Sequence, residues 1–173
     1  MKVETRDRLR SLAERCGKEY GKIVQKLLAV AFLEAGAERV VERGVQGIDL
    51  EVTLDGRRLA IEVKTTEGDS ITLGKKDAKG LLARRAEGFE IFIAVLGRGL
   101  LDEWIVARFH DGELPVGGAM KTVTLRTYRN PEIEAAVSGP FDEALARHYA
   151  GTVEGAQGYL DEMLRGYGAF AQA

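Results

Sequence analysis

Two alternating runs joined by Asp55-Gly56 constrain this chain more than any other feature. In the first run Ile48, Leu50 and Val52 share one face, with Asp49, Glu51 and Thr53 on the other. In the second, Leu59, Ile61 and Val63 are apolar, while Ala60, Glu62 and Lys64 point the opposite way. Asp-Gly between such runs signals a two-residue type I′ hairpin turn. With Leu54 opposite Arg57, the register places Asp49 opposite Glu62. Facing residues have Cβ atoms about 4.5–5.5 Å apart, and like charges there are destabilising. Two opposed carboxylates with Lys64 close by make a poor surface and a good cation site. The competing reading is a solvated or salt-bridged strand face, which contributes little. Against it, the second run is apolar along its whole other face and so belongs to a core. Glu62 and Lys64 therefore emerge from a rigid element, where precise chemistry is built.

A chain of 173 residues suits one domain with an appendage and is long enough for a substantial core. No apolar run reaches the ~18 residues that a membrane helix needs. The charged stretch Lys2 to Arg15 lacks the apolar segment of a secretory signal. Cys16 is the sole cysteine, which points to a reducing, cytoplasmic setting. His110 and His148 have no metal-ligand spacing and read as surface residues. A net charge of −2 counts against a generally basic, nucleic-acid-coating protein, but local positive charge is still available. Abundant Glu, Arg and Gly beside few Asn, Gln and Cys fit a thermophilic source.

Helices are expected at Arg6–Cys16 and at Glu19–Ala35, where Tyr20, Ile23, Val24, Leu27, Leu28, Ala31 and Phe32 form one stripe. Strands follow at Arg39–Glu42, in the hairpin and at Ser70–Leu73, then a helix at Lys75–Ala86. Phe89–Leu96 is apolar almost throughout and reads as an internal strand, turned at Gly97–Gly99 into Trp104–Phe109. The order α-β-β-β-α-β-β predicts an α/β mixed sheet flanked by helices. Beyond it, His110–Gly118 reads as a loop and Thr122–Thr127 as a strand. Three short helices are expected near Pro131–Val137, Pro140–Ala150 and Val153–Arg165. The chain thus divides into a core at residues 1–110 and a mostly helical C-terminal extension at 111–173, packed on the core or used in oligomerisation.

Gly47-Ile48-Asp49, the run Leu59-Ala60-Ile61-Glu62-Val63-Lys64-Thr65-Thr66, the preceding helix and the helix after Ile71-Thr72-Leu73 together resemble the PD-(D/E)XK nuclease superfamily. The likeness spans Gly17 to Phe109 and is closest to archaeal Holliday junction resolvases. It implies a restriction-endonuclease-like fold. It also implies that Asp49, Glu62 and the Val63 carbonyl hold Mg²⁺ (or Mn²⁺), a hard ion that takes a few carboxylates and keeps several waters. Such an ion lowers the pKa of a bound water and polarises the scissile phosphate. Lys64 would steady the charge developing on phosphorus; its other reading is a salt bridge to Asp49 or Glu62.

The family usually sets a Glu on the first helix, but the matching stretch carries Tyr20 or Gly21 there. Glu19 is the nearest acid and the expected catalytic partner, with Gln25 a polar alternative and a helix-dipole role for Glu19 also open. In the next helix the family's Gln position reads Asp77. Lys75, Lys76, Lys79, Arg84 and Arg85 on that helix, with Thr65 and Thr66, are the expected phosphate-backbone contacts; a solvated helix face is the alternative. Arg57 and Arg58 are open to both readings, and Gly44–Gly47 is expected to give a ligand room to approach. The function implied is a Mg²⁺-dependent endonuclease acting on branched or duplex DNA as a homodimer, since junction resolution takes two symmetric cuts. A restriction, repair or RNA-processing nuclease of the same superfamily, or an inactive nucleic-acid-binding member, remain as alternatives.

Overall fold

The computed structural model describes residues 1–44, 47–97, 104–110, 112–114 and 117–173. The Gly97–Gly99 turn beyond Gly97, part of Gly44–Gly47 and part of the 110–118 loop therefore lie outside the described residues.

The hairpin forms in the expected register. β2 (Leu50–Leu54) runs antiparallel to β3 (Arg57–Thr66), with Leu54 opposite Arg57 and Leu50 opposite Ile61. Asp55 and Gly56 have φ of 50° and 71°, the two left-handed residues that a type I′ turn requires. β1 (Arg39–Glu42) pairs with the other edge of β2. Beyond β3 the chain makes a short strand (Ser70–Thr72) and a helix (Lys75–Ala86), then returns as a strand (Glu90–Gly97) parallel to β3. We call these β4, α3 and β5; a strand–helix–strand crossover of this kind is what joins parallel neighbours. β6 (Trp104–Phe109) closes that side, antiparallel to β5. The chain's last strand (Phe170–Gln172) adds to β1 in parallel, so the sheet reads β6-β5-β3-β2-β1 and then this C-terminal strand.

Each face of the sheet is covered. Leu50, Val52, Leu59 and Ile61 pack with α1 (Val3–Cys16) through Leu9 and Leu12, and with α2 (Tyr20–Glu34) through Ile23, Val24, Leu27 and Leu28. Ala60, Ile91, Ile93 and Val95 meet Ala78 and Leu81 of α3 on the other face. β5 contributes alternate residues to both layers, which is why its sequence is apolar throughout.

Ile48 departs from the expected alternation: it joins the α3-side layer with Ala60, across the sheet from Leu50 and Val52. The ladder begins only at Leu50, and the Asp49 amide donates to the Ile61 carbonyl at 3.1 Å, one step off the hairpin register. The chain therefore enters the sheet out of phase.

Two further expectations are corrected beyond β6. Thr122–Thr127 is not a strand: β7 (Ala119–Lys121) pairs with β4, and α4 (Thr122–Leu125) follows at once. Leu125 of this turn is buried in the α3-side layer. The three short helices are one, α5 (Pro131–Arg165), started by Asn130, whose side chain accepts from the Ile133 N–H at 3.0 Å. Pro140 lies within it, and the break comes instead at Ala156 (φ 47°, ψ −136°). There the Tyr159 ring folds back over Gly151, where a Cβ would lie 2.4 Å from it. His148 is buried rather than on the surface, its Nδ1 3.0 Å from the Tyr159 hydroxyl. Val137, Phe141, Leu145, Leu160 and Leu164 of α5 belong to the same apolar layer as α1 and α2.

Candidate active site

The site lies where β2 stops and β3 continues. Past Leu50 no strand among the described residues lies beside β3 on that edge, and the Asp49 side chain takes over: its Oδ2 accepts the Val63 N–H at 2.9 Å. In an extended strand the N–H and C=O of one residue face the same edge, so the Val63 carbonyl also opens towards Asp49. On the α3 face, Lys64 Nζ donates to Glu62 Oε1 at 2.6 Å and to Asp77 Oδ2 at 2.8 Å. Asp77 sits in the first turn of α3, where an acid is favoured by the helix dipole.

Charge is crowded here. Glu62 is only 5% exposed, and its carboxyl is pushed up to about 8, first by burial and then by the Asp49 carboxylate, with Lys64 offsetting part of both. Burial works against the charge of Asp77, but the hydrogen bond and charge of Lys64 outweigh it and hold Asp77 below the usual carboxylate range. Lys64 is raised in turn: burial opposes its charge, and its bonds to Asp77 and Glu62 prevail. A raised folded-state carboxyl contributes stability below its unfolded value and loses it as pH rises through the folded one. In chelator the contribution of Glu62 is therefore expected to fall between pH 5 and about 8, so the melting temperature of Glu62→Gln should gain on that of the unsubstituted protein across this range; calorimetry on the pair checks it.

Among the described residues, no three His, Cys, Asp or Glu side chains converge closely enough to hold a metal ion by themselves. The Asp49 carboxylate is near enough to act on that of Glu62, and with the carbonyl edge of Val63 they offer only hard oxygens. That set suits a cation that retains much of its water. The repulsion that lifts Glu62 is also what a divalent ion would relieve. By the chemistry of their oxygens, Asp49, Glu62 and the Val63 carbonyl are the residues that could hold Mg²⁺ or Mn²⁺.

The other expected residues divide. Glu19 is exposed in the turn before α2, and its charge acts on Cys16, whose thiol is raised first by burial and then by Glu19. Gln25, the alternative, is the one that connects to the site, because its Oε1 accepts from Lys22 Nζ at 2.7 Å and Lys22 pairs with Asp49 at 3.4 Å. Lys75, Lys76 and Lys79 are exposed on α3. Arg84 pairs instead with Glu51 (2.7 Å) and Glu87, and Arg85 donates to the Phe109 and His110 carbonyls. Arg57 is taken by Glu90 and Glu132, and Arg58 lies over the Phe89 ring. The Thr66 hydroxyl donates to the Ser70 carbonyl at 2.8 Å and accepts from the Gly68 N–H, so it shapes the turn after β3. Thr65 faces α2, where a Cβ on Gly21 would lie 3.9 Å from its Oγ1.

Gly47 does not leave room for a ligand. Its φ is +73°, and a Cβ would lie 2.5 Å from the Lys76 carbonyl oxygen and 3.4 Å from Gly80 Cα. The glycine lets α3 press against the segment that leads through Asp49 into β2. Gly47→Ala is expected to cost about 2–4 kcal/mol, from the left-handed backbone and the forced shift of α3, measured by denaturant unfolding.

Sequence reasoning singled out neither Lys22 nor the role of Asp77. It also missed a buried polar cluster behind α2, in which Lys26 Nζ bonds both Glu42 oxygens (2.8 and 2.7 Å) and Asp161 Oδ1 (2.6 Å). Gln172 bridges Glu42 and Asp161 at 3.0 and 2.9 Å. The only hint was polar residues at helix positions that turn out to be covered.

No family model matches the chain, and no curated protein sequence matches it. Among solved structures it is similar to Hjc of Archaeoglobus fulgidus, a Holliday junction resolvase from an archaeal hyperthermophile. The identity is 17%, over 66% of this chain and 95% of that one, with a TM-score of 0.52. The fold likeness that the Asp–turn–Glu-x-Lys motif implied is present: this chain has a restriction-endonuclease-like fold, a mixed central sheet flanked by helices with a long C-terminal helix.

Proposed function

We propose that the protein is a Mg²⁺-dependent endonuclease that hydrolyses DNA phosphodiester bonds, with branched DNA as its preferred substrate. The observation that carries this reading is that Asp49 acts on Glu62, and Glu62 holds Lys64, at the start of β2, on a fold like that of a junction resolvase. Asp49, Glu62 and the Val63 carbonyl would hold the ion, which supplies an activated water and a polarised phosphate. Lys64, fixed by Glu62 and Asp77, presents its ammonium to charge developing on the phosphate oxygens. Its position costs nothing to reorganise during the reaction, because both partners are already bonded. Lys75, Lys76 and Lys79 continue the positive charge along α3 and suit a phosphate backbone read without regard to sequence. Symmetric cutting of a junction calls for a C2 dimer. No helix among the described residues is long and apolar enough to cross a membrane.

The direct test is incubation with four-way junctions, linear duplex, single strands and structured RNA, with and without Mg²⁺. Metal-dependent cutting that favours the junction supports the reading. Preference for linear duplex or RNA moves the protein to the restriction, repair or RNA-processing nucleases. The position of Glu19 outside the site favours one other reading, a nucleic-acid-binding protein without catalysis. Tight junction binding with no cleavage in any metal would establish it.

A further inference from the structure

Lys22 lies near the start of α2, and its ammonium donates to Asp49 Oδ1 at 3.4 Å and to Gln25 Oε1 at 2.7 Å. Its side chain is 48% exposed, as ordinary surface lysines are, yet the head group is aimed. Gln25 is 2% exposed, and its Nε2 donates to Glu42 Oε1 at 2.9 Å. Glu42 is in turn gripped by Lys26. Each acceptor in this chain is fixed by the next, so the amide oxygen that receives Lys22 is held in place by buried groups.

The atom at which Lys22 points matters. Asp49 Oδ2 is engaged by the Val63 amide, which leaves Oδ1 as the oxygen best placed to meet a cation, and Oδ1 is the one that Lys22 reaches. We propose that Lys22 is an intramolecular competitor for the cation at Asp49. It neutralises the carboxylate in the cation-free protein and has to give way when a divalent ion binds there. The inference rests on the reading of Asp49 as a metal ligand. It adds that this chain's own ammonium sets how tightly the ion is held. An ammonium and a divalent ion sharing one carboxylate repel each other, the more so where water is partly excluded. Lys22 is therefore a positioning residue that acts through Asp49, and removing its charge strengthens metal binding instead of weakening it.

The test is titration of the chelator-treated full chain with Mn²⁺, followed calorimetrically and by the loss of free-ion paramagnetic signal. Lys22→Met is expected to bind Mn²⁺ about tenfold more tightly than the unsubstituted protein, ~1.4 kcal/mol. Lys22→Gln, uncharged but polar, should show the same gain, and Lys22→Arg should stay close to the original affinity. Asp49→Asn should lose the binding in every background. Melting curves in chelator separate this from a merely structural role, which would lower the melting temperature without tightening Mn²⁺. Equal or weaker Mn²⁺ binding by Lys22→Met and Lys22→Gln, with Asp49→Asn still abolishing it, overturns the competitor role and leaves the metal site standing. No Mn²⁺ binding by any of these proteins overturns both.

Discussion

Asp49→Asn is expected to slow Mg²⁺-dependent cleavage of a four-way junction by about a thousandfold. A bound ion contributes several kcal/mol of transition-state stabilisation, and each ~1.4 kcal/mol is tenfold in rate. Asparagine is the informative replacement because its side-chain oxygen still accepts the Val63 N–H, which Asp49 Oδ2 does at 2.9 Å. The end of β2 then stays in place while the negative charge is lost. Lys64→Ala should fall by a comparable factor for a different reason: it removes the ammonium and leaves buried Glu62 without its partner at 2.6 Å. Because both groups serve one phosphate, the double variant should be little worse than either single one. Gel assays under single-turnover conditions read all three. Residual cutting equal to that of the original protein in every variant would assign the activity elsewhere.

Lys26→Met should have the largest effect on stability, a loss of about 3–5 kcal/mol, because it leaves buried carboxylates without their cation. Lys26 is 4% exposed and Glu42 is 8% exposed, and the lysine also holds Asp161, on α5. For a chain of this size the melting temperature should drop by about 10 °C. Lys26→Met combined with Glu42→Leu and Asp161→Leu should recover much of that loss, since apolar groups of similar volume can replace a buried ion cluster. Scanning calorimetry distinguishes the single from the triple variant. The same cluster fastens α5 and the C-terminal strand to α2 and β1, so the single variant should also expose the chain's C-terminal region to protease.

Much of the fold could be read locally. The Asp55-Gly56 turn and the alternations from Leu50 to Val63 set the β2–β3 register; the expected opposition of Asp49 and Glu62 did not follow, because the chain slips by one residue before Leu50. The α2 stripe and the apolar β5 were legible for the same reason, a pattern repeated within one element. What escaped depends on partners far along the chain. Gln25 read only as a polar alternative to Glu19 and Lys26 gave no signal, yet both are buried, and α5 supplies Asp161, which lies 135 residues from Lys26. The final strand is three residues long and carries no signal until β1 is there to pair with it. Thr122–Leu125 has β-branched residues, yet it forms a helical turn that buries Leu125. At the site, Asp77 looked like a departure from a motif; α3 brings it against Lys64, a contact between turns that no spacing rule predicts.

The position at which a divalent ion binds is the most direct measurement of this site. A crystal soaked in Mn²⁺ and measured at the manganese edge should show one anomalous peak between Asp49 and Glu62. The expected ligands are Asp49 Oδ1, a Glu62 oxygen and the Val63 carbonyl at about 2.0–2.2 Å, with the Lys22 ammonium moved off Asp49. A well-diffracting soak with Mn²⁺ bound elsewhere, and Lys22 still on Asp49 at millimolar metal, would contradict it.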